Sequence, residues 1–169
     1  MIKWQFGDSF TLPKAQKFLN EVSSGKYEGI ISLLAVKEFV KFIRNLSVTS
    51  YGENNPQKWL QREERLLKSV WKIKGVKIIE GKSEERIVSG TTLAFADVSM
   101  EALTLLRKYG GSVKRDPTTN KMVHDGLAPM DTLHIAVAKG MGCSKIATFD
   151  KDFNETKGEL ESMYLGGTT

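Results

Sequence analysis

The run "KIATFDKDF", Lys145 to Phe153, is a short apolar segment that ends in two aspartates, Asp150 and Asp152. Another acid, Asp131, stands two residues after Pro129 at the head of an amphipathic pattern, and Glu38 lies inside "LLAVKEFVKFIRNL". Carboxylates brought together repel and raise one another's pKa, so a fold keeps them in company chiefly where a cation neutralises them. Oxygen donors select hard ions, Mg2+ or Mn2+, and sites of that kind commonly bind phosphate esters. Each acid also has a plainer use. Asp131 suits the positive end of a helix dipole, Glu38 a surface ion pair with Lys41, and Asp150 and Asp152 a turn or cap after a strand. One cysteine, Cys143, and two histidines, His124 and His134, make neither a zinc set nor a disulfide, and no site is built on either histidine.

The elements that must position these acids alternate between helix and strand. Pro13 opens a helical pattern with Ala15, Phe18, Leu19 and Val22 on one face and Gly25 just past its end. "EGIIS", Glu28 to Ser32, reads as a strand, and the helix that follows carries Val36, Phe39, Val40, Ile43 and Leu46 on a wide apolar face. Asn55-Pro56 starts a further helix running towards Gly75, with Trp59 and Trp71 as core residues or as a face for a dimer or other partner. "VKIIE" is the next strand, and the pattern assigns nothing from Gly81 to Ala96. Asp97 reads as the cap region of a helix over Ser99 to Tyr109, closed by Gly110-Gly111. From Ser112 to Leu127 the chain is polar and irregular, and "RDPTTNK" is a turn, either a hairpin tip or a mobile loop. Pro129 opens the last helix, Met130 to Lys139, which Gly140 and Gly142 close before the strand "KIATF".

Such alternation predicts an α/β fold, a parallel sheet with helices on its faces. In it the starts of the helices and the ends of the strands share one edge. A ten-residue helix travels about 15 Å and a five-residue strand returns about as far. Asp131, Asp150 and Glu38 are therefore expected at one rim.

The 169 residues, 40% of them hydrophobic, suit a single domain over 1–169 with a real core. No apolar signal core or membrane-length span occurs, and the lone cysteine fits a reducing cytosol, so a cytoplasmic protein with no membrane partner is expected. A net charge of +5 favours an anionic partner such as nucleic acid, although excess lysine also serves solubility.

The segment "GLAPMDTLHIAVAKGMGCSKIATFDKDF" closely resembles the C-terminal half of PIN-domain ribonucleases, where an Asp opens a helix and a strand ends in T-x-D before an acidic-aromatic pair. "AQKFLNEVSSGKYEGIISLLAVKEFVKFI" resembles the second strand and glutamate-bearing helix of the same family. The resemblance implies a three-layer α/β/α sandwich with a central parallel sheet, and a metal-dependent endoribonuclease, in one form the toxin of a toxin–antitoxin pair. Glu38, Asp131 and Asp150 would then be the catalytic acids that hold Mg2+ or Mn2+, with Thr148 and Asp152 as accessory residues. Lys114, Arg115 and Lys121 would track RNA, and the partners would be RNA, an antitoxin protein and a second copy in a homodimer. The family also has a central first strand ending in a ligating Asp. "MIKWQFGD" resembles the stretch just after it, so an N-terminally truncated domain is expected, with that strand encoded upstream of Met1. Two rival readings are a catalytically inactive PIN scaffold that binds RNA or a protein, and a receiver-like domain phosphorylated on Asp150.

Overall fold

The computed structural model describes residues 11–51, 56–78, 87–88, 91–92, 95–124, 126–156 and 158–166. "MIKWQFGD" and most of Gly81 to Ala96 thus lie outside the described residues, as do the side chains of Trp59 and Trp71. Two compact units divide the chain, Met1–Glu80 and Gly81–Thr169.

The first unit contains α1 (Thr11–Ser23), β1 (Gly29–Ile31), α2 (Leu33–Tyr51), α3 (Pro56–Trp71) and β2 (Val76–Ile78). The expected apolar face of α1 is real: Ala15 and Val22 are buried, and Phe18 and Leu19 are half-buried. Ser32 ends the strand and starts the next helix, its Oγ accepting the Ala35 N–H at 3.2 Å, an N-cap bond. On α2, Phe39 is fully buried. β1 and β2 pair in parallel, Gly29 with Val76 through Ile31 with Ile78. Gly75 takes φ +80° just before β2, and a Cβ there would stand 2.6 Å from the Val22 carbonyl oxygen, so only glycine fits this approach.

The second unit contains β3 (Ile87–Val88), β4 (Thr91–Thr92), α4 (Phe95–Tyr109), β5 (Val113–Arg115), β6 (Met122–His124), α5 (Pro129–Gly140), β7 (Lys145–Thr148), a 3-10 helix (Asp152–Thr156) and β8 (Glu161–Tyr164). Its core joins Val98, Ala102 and Leu105 of α4 to Leu127, to Ile135 and Ala136 of α5, and to Phe153. The i, i+4, i+7 spacing on α4 is the stripe that faces α5. β7 and β8 pair in parallel from Lys145–Glu161 to Thr148–Tyr164, whereas β3–β4 and β5–β6 are antiparallel.

Helices joined to parallel strand pairs make this an α/β protein. Among the described residues the pairings form four two-stranded sheets. Of the two readings of "RDPTTNK", the hairpin tip is the one observed. Three departures from the sequence reading stand out. α1 begins at Thr11, two residues before Pro13. α4 begins at Phe95, four residues before Ser99, so Asp97 lies in its first turn instead of capping it. The 3-10 helix and β8 had no counterpart in the sequence reading.

A charged network ties these elements together. Lys139 of α5 bridges Glu101 of α4 and Glu159 before β8, the latter at 2.8 Å. Glu159 also accepts bonds from Lys108 Nζ at 2.8 Å and from the Tyr109 hydroxyl at 3.2 Å. The Lys108 and Lys139 hydrogen bonds hold the Glu159 carboxyl down to about 2.

Candidate active site

The sequence of the β7 exit builds a tight, hydrogen-bonded turn. Thr148, the last residue of β7, accepts the Asp150 N–H on its Oγ1 at 2.9 Å. Asp150 Oδ1 in turn accepts the Asp152 N–H at 3.0 Å, so this carboxylate caps the 3-10 helix that Asp152 begins. Phe153, buried at 5% exposure, inserts into the core and anchors the turn from beneath. The fully buried Thr156 closes it, its hydroxyl donating to the Phe153 carbonyl at 2.8 Å. Asp150 and Asp152 are left exposed at the surface. Thr148, Asp150 and Asp152 are thus brought together as one unit, and the capping role foreseen for Asp150 is present.

Asp131 is placed by the start of α5. Pro129 supplies the fixed φ of the first helical position, and Asp131 Oδ2 accepts the Ala128 N–H at 3.0 Å. Ala128 has no side-chain acceptor to return the bond, so this is only the acidic half of a capping box. The Asp131 carboxylate is half-buried at the positive end of the helix, where negative charge is favoured. α5 and β7 are separated only by the turn at residues 141–144, with Gly142 at φ +68°.

Glu38 lies about one turn and a half into α2, half-buried, and belongs to the first unit, whereas Asp131 and Asp150 belong to the second. Among the described residues no three His, Cys, Asp or Glu side chains gather as a metal-holding group. Lys114 and Arg115 stand on β5 and Lys121 immediately before β6, all three exposed. Sequence reasoning missed Glu159, whose partners are 20 to 51 residues away and leave no local signal.

A PIN-domain family model matches residues 2–159, through both units. The chain belongs to the PIN-domain family. Comparisons with curated proteins and with solved structures gave no match. Family membership supports a nuclease-type function, since PIN domains are in general metal-dependent nucleases that bind Mg2+ or Mn2+. The donor chemistry of this PIN domain agrees with such an ion. Asp131, Asp150 and Asp152 offer only hard oxygen donors. Among the described residues no helix is long and apolar enough to cross a membrane.

Proposed function

We propose that this PIN domain is a metal-dependent endoribonuclease, of the kind that serves as a toxin neutralised by an antitoxin protein in the cytoplasm. The observation that carries the reading is the β7 exit. A core-anchored turn presents Asp150 and Asp152 at the surface, one helix–turn–strand unit after a half-buried Asp131. We assign Asp131 and Asp150 as ligands of Mg2+ or Mn2+ together with Glu38. The Thr148 hydroxyl orients the Asp150 backbone, and Asp152 acts as an accessory acid. When bound, such an ion lowers the pKa of a water and offsets charge on the scissile phosphate. The protein's own part is to keep Asp150 on a hydrogen-bonded turn anchored in the core by Phe153. Products with 5′-phosphate and 3′-hydroxyl ends follow from the family chemistry. We take residues 1–169 as one PIN-like domain with a three-layer α/β/α fold, acting as a homodimer; the parallel pairing within β1–β2 and within β7–β8 supports that fold.

Calorimetric Mn2+ titration and cleavage of an end-labelled RNA test the reading together. The wild-type chain should take up Mn2+ and cleave, and Asp150→Asn should lose both, the cleavage by about 10³-fold or more, as several kcal/mol of transition-state stabilisation disappear. Cleavage that persists in EDTA, or Mn2+ binding indifferent to both Asp131→Asn and Asp150→Asn, would overturn it. The inactive-scaffold reading gains from the absence of a three-acid group among the described residues. It predicts salt-dependent RNA binding with neither Mn2+ uptake nor cleavage.

A further inference from the structure

The β5–β6 hairpin is exposed on both faces. Val113, Met122 and Val123 are 51%, 58% and 44% exposed, and every described side chain from Ser112 to Arg115 and from Pro117 to Val123 faces solvent. A two-stranded hairpin with no face packed is marginal by itself. This one is held by its tip and its base instead. At the tip, Asp116 Oδ1 accepts the N–H groups of Thr118 and Thr119 at 2.7 and 2.8 Å, and Asp116 exchanges backbone bonds with Lys121 and Asn120. Arg115 donates to the Asn120 side chain at 2.9 Å, which steadies a residue at φ +56°. At the base, the Leu127 N–H donates to the Tyr109 carbonyl at 3.0 Å, and Gly126 sits so close that a Cβ would lie 2.4 Å from the Tyr109 oxygen.

The register decides what each face offers. Cross-strand partners share a face and neighbours along a strand alternate. Arg115 therefore stands with Val113 and Met122, while Lys114 stands with Val123, and Lys121 continues that second face. Each face carries both a cation and an apolar side chain. A protein-docking sheet would collect its apolar residues on one face. Cations on both sides suit instead a charged strand lying along or around the ribbon. Asp116 stays ionised, because two backbone N–H groups hold its pKa down, so the tip keeps one negative charge beside these cations. The ribbon re-enters the fold at Leu127, four residues before Asp131.

We propose that the β5–β6 ribbon is a preorganised arm that grips the backbone of a single-stranded RNA segment beside Asp131, through Arg115 and Lys121. The proposal rests on the nuclease reading for its substrate, but binding can be measured without cleavage. The deep, narrow major groove of an RNA duplex does not admit such a ribbon, and the arm carries no Phe, Tyr or Trp to stack on bases. Its contacts are to the phosphate backbone, so they position RNA without selecting sequence.

Fluorescence anisotropy with a labelled unpaired 12-mer and a duplex of equal length tests this on the full chain in EDTA. Arg115→Gln with Lys121→Gln should weaken binding of the unpaired strand about 10-fold near 0.15 M salt and flatten the slope of log K against log salt by about 1.4, two contacts at about 0.7 each. The same charge change at the C-terminal end of α3, K68Q in its last turn with K72Q just past it, should leave both nearly unchanged. D116A gives the sharper result. It removes a negative charge, so charge alone predicts tighter binding, whereas loss of the preorganised tip predicts weaker binding, with the melting temperature held. Equal losses for the arm and α3 variants, tighter binding by D116A, or duplex preferred over the single strand would each overturn the proposal. Unchanged RNA binding by the arm variants, with a shift in their oligomeric state, would assign the ribbon to a protein contact instead. If the chain binds RNA through the arm yet never cleaves it, the nuclease reading fails and the arm stands. Cleavage with KM unaltered by the arm variants has the opposite meaning.

Discussion

β1 and β2 meet over a glycine seam, whereas β7 and β8 meet beneath a set of charged bridges. At the first pair, a Cβ on Gly29 would press on Val22 and Val76 at 3.2 Å each, and one on Gly75 would clash with the Val22 carbonyl. At the second pair, Lys145 reaches across the ladder to Glu161 at 2.5 Å, and Lys139 and Lys108 converge on Glu159 at 2.8 Å each. Contact by shape is intolerant of a methyl group but indifferent to pH. Contact by charge tolerates changes in volume and responds to protons and salt. The two pairs should therefore fail under different insults.

The largest effect is expected at the seam. Gly75→Ala adds left-handed strain and a clash with backbone that cannot rotate away, and should destabilise the first unit by about 2–3 kcal/mol, read as a shift in the urea midpoint. A stability equal to wild type would show that α1 and β2 are free to move apart. Next comes Glu159→Gln, which leaves the Lys139 and Lys108 ammonium groups with a neutral acceptor. Because Lys108 is 58% exposed and Lys139 30%, solvent screens much of the gain, and a loss of about 1 kcal/mol is expected, smaller still at 1 M salt. The smallest effect is one of pH. The folded-state pKa of Glu159 is lowered to about 2 from 4.5, so its contribution is complete above about pH 4.5 and fades as the pH falls towards 2. Hydrogen-exchange protection in α5 and β8, taken against the intrinsic rate at each pH, should fall over that interval in wild type and not in Glu159→Gln, while protection in β1–β2 stays level. Parallel acid responses in both pairs would erase the distinction.

How far the sequence could be read follows from the same contrast. Helix starts marked by proline were legible at Pro56 and Pro129, and to within two residues at Pro13, because a fixed φ and a missing N–H are local properties. The start of α4 was misplaced because aspartate is favoured both at a cap and within a first turn, and Asp97 occupies the turn. β5 and β6 gave no alternating apolar signal, since neither face of that hairpin is packed and periodicity records only burial. Of the site, the T-x-D turn was readable as a contiguous motif and Asp131 from the proline before it. The Glu159 network was not, since ion pairs among α4, α5 and the β8 approach join residues that only the tertiary fold brings together.

The bond from Leu127 to Tyr109 has a consequence for how this chain can change over time. Because that contact and the Gly126 approach close the ends of the segment on each other, the seventeen intervening residues form a segment whose length is nearly irrelevant to the packing of α4 on α5. Such a segment can be lengthened, shortened or exchanged whole while the acid at position 131 keeps its place. A cassette of this kind lets the exposed hairpin drift independently of the helix that carries Asp131.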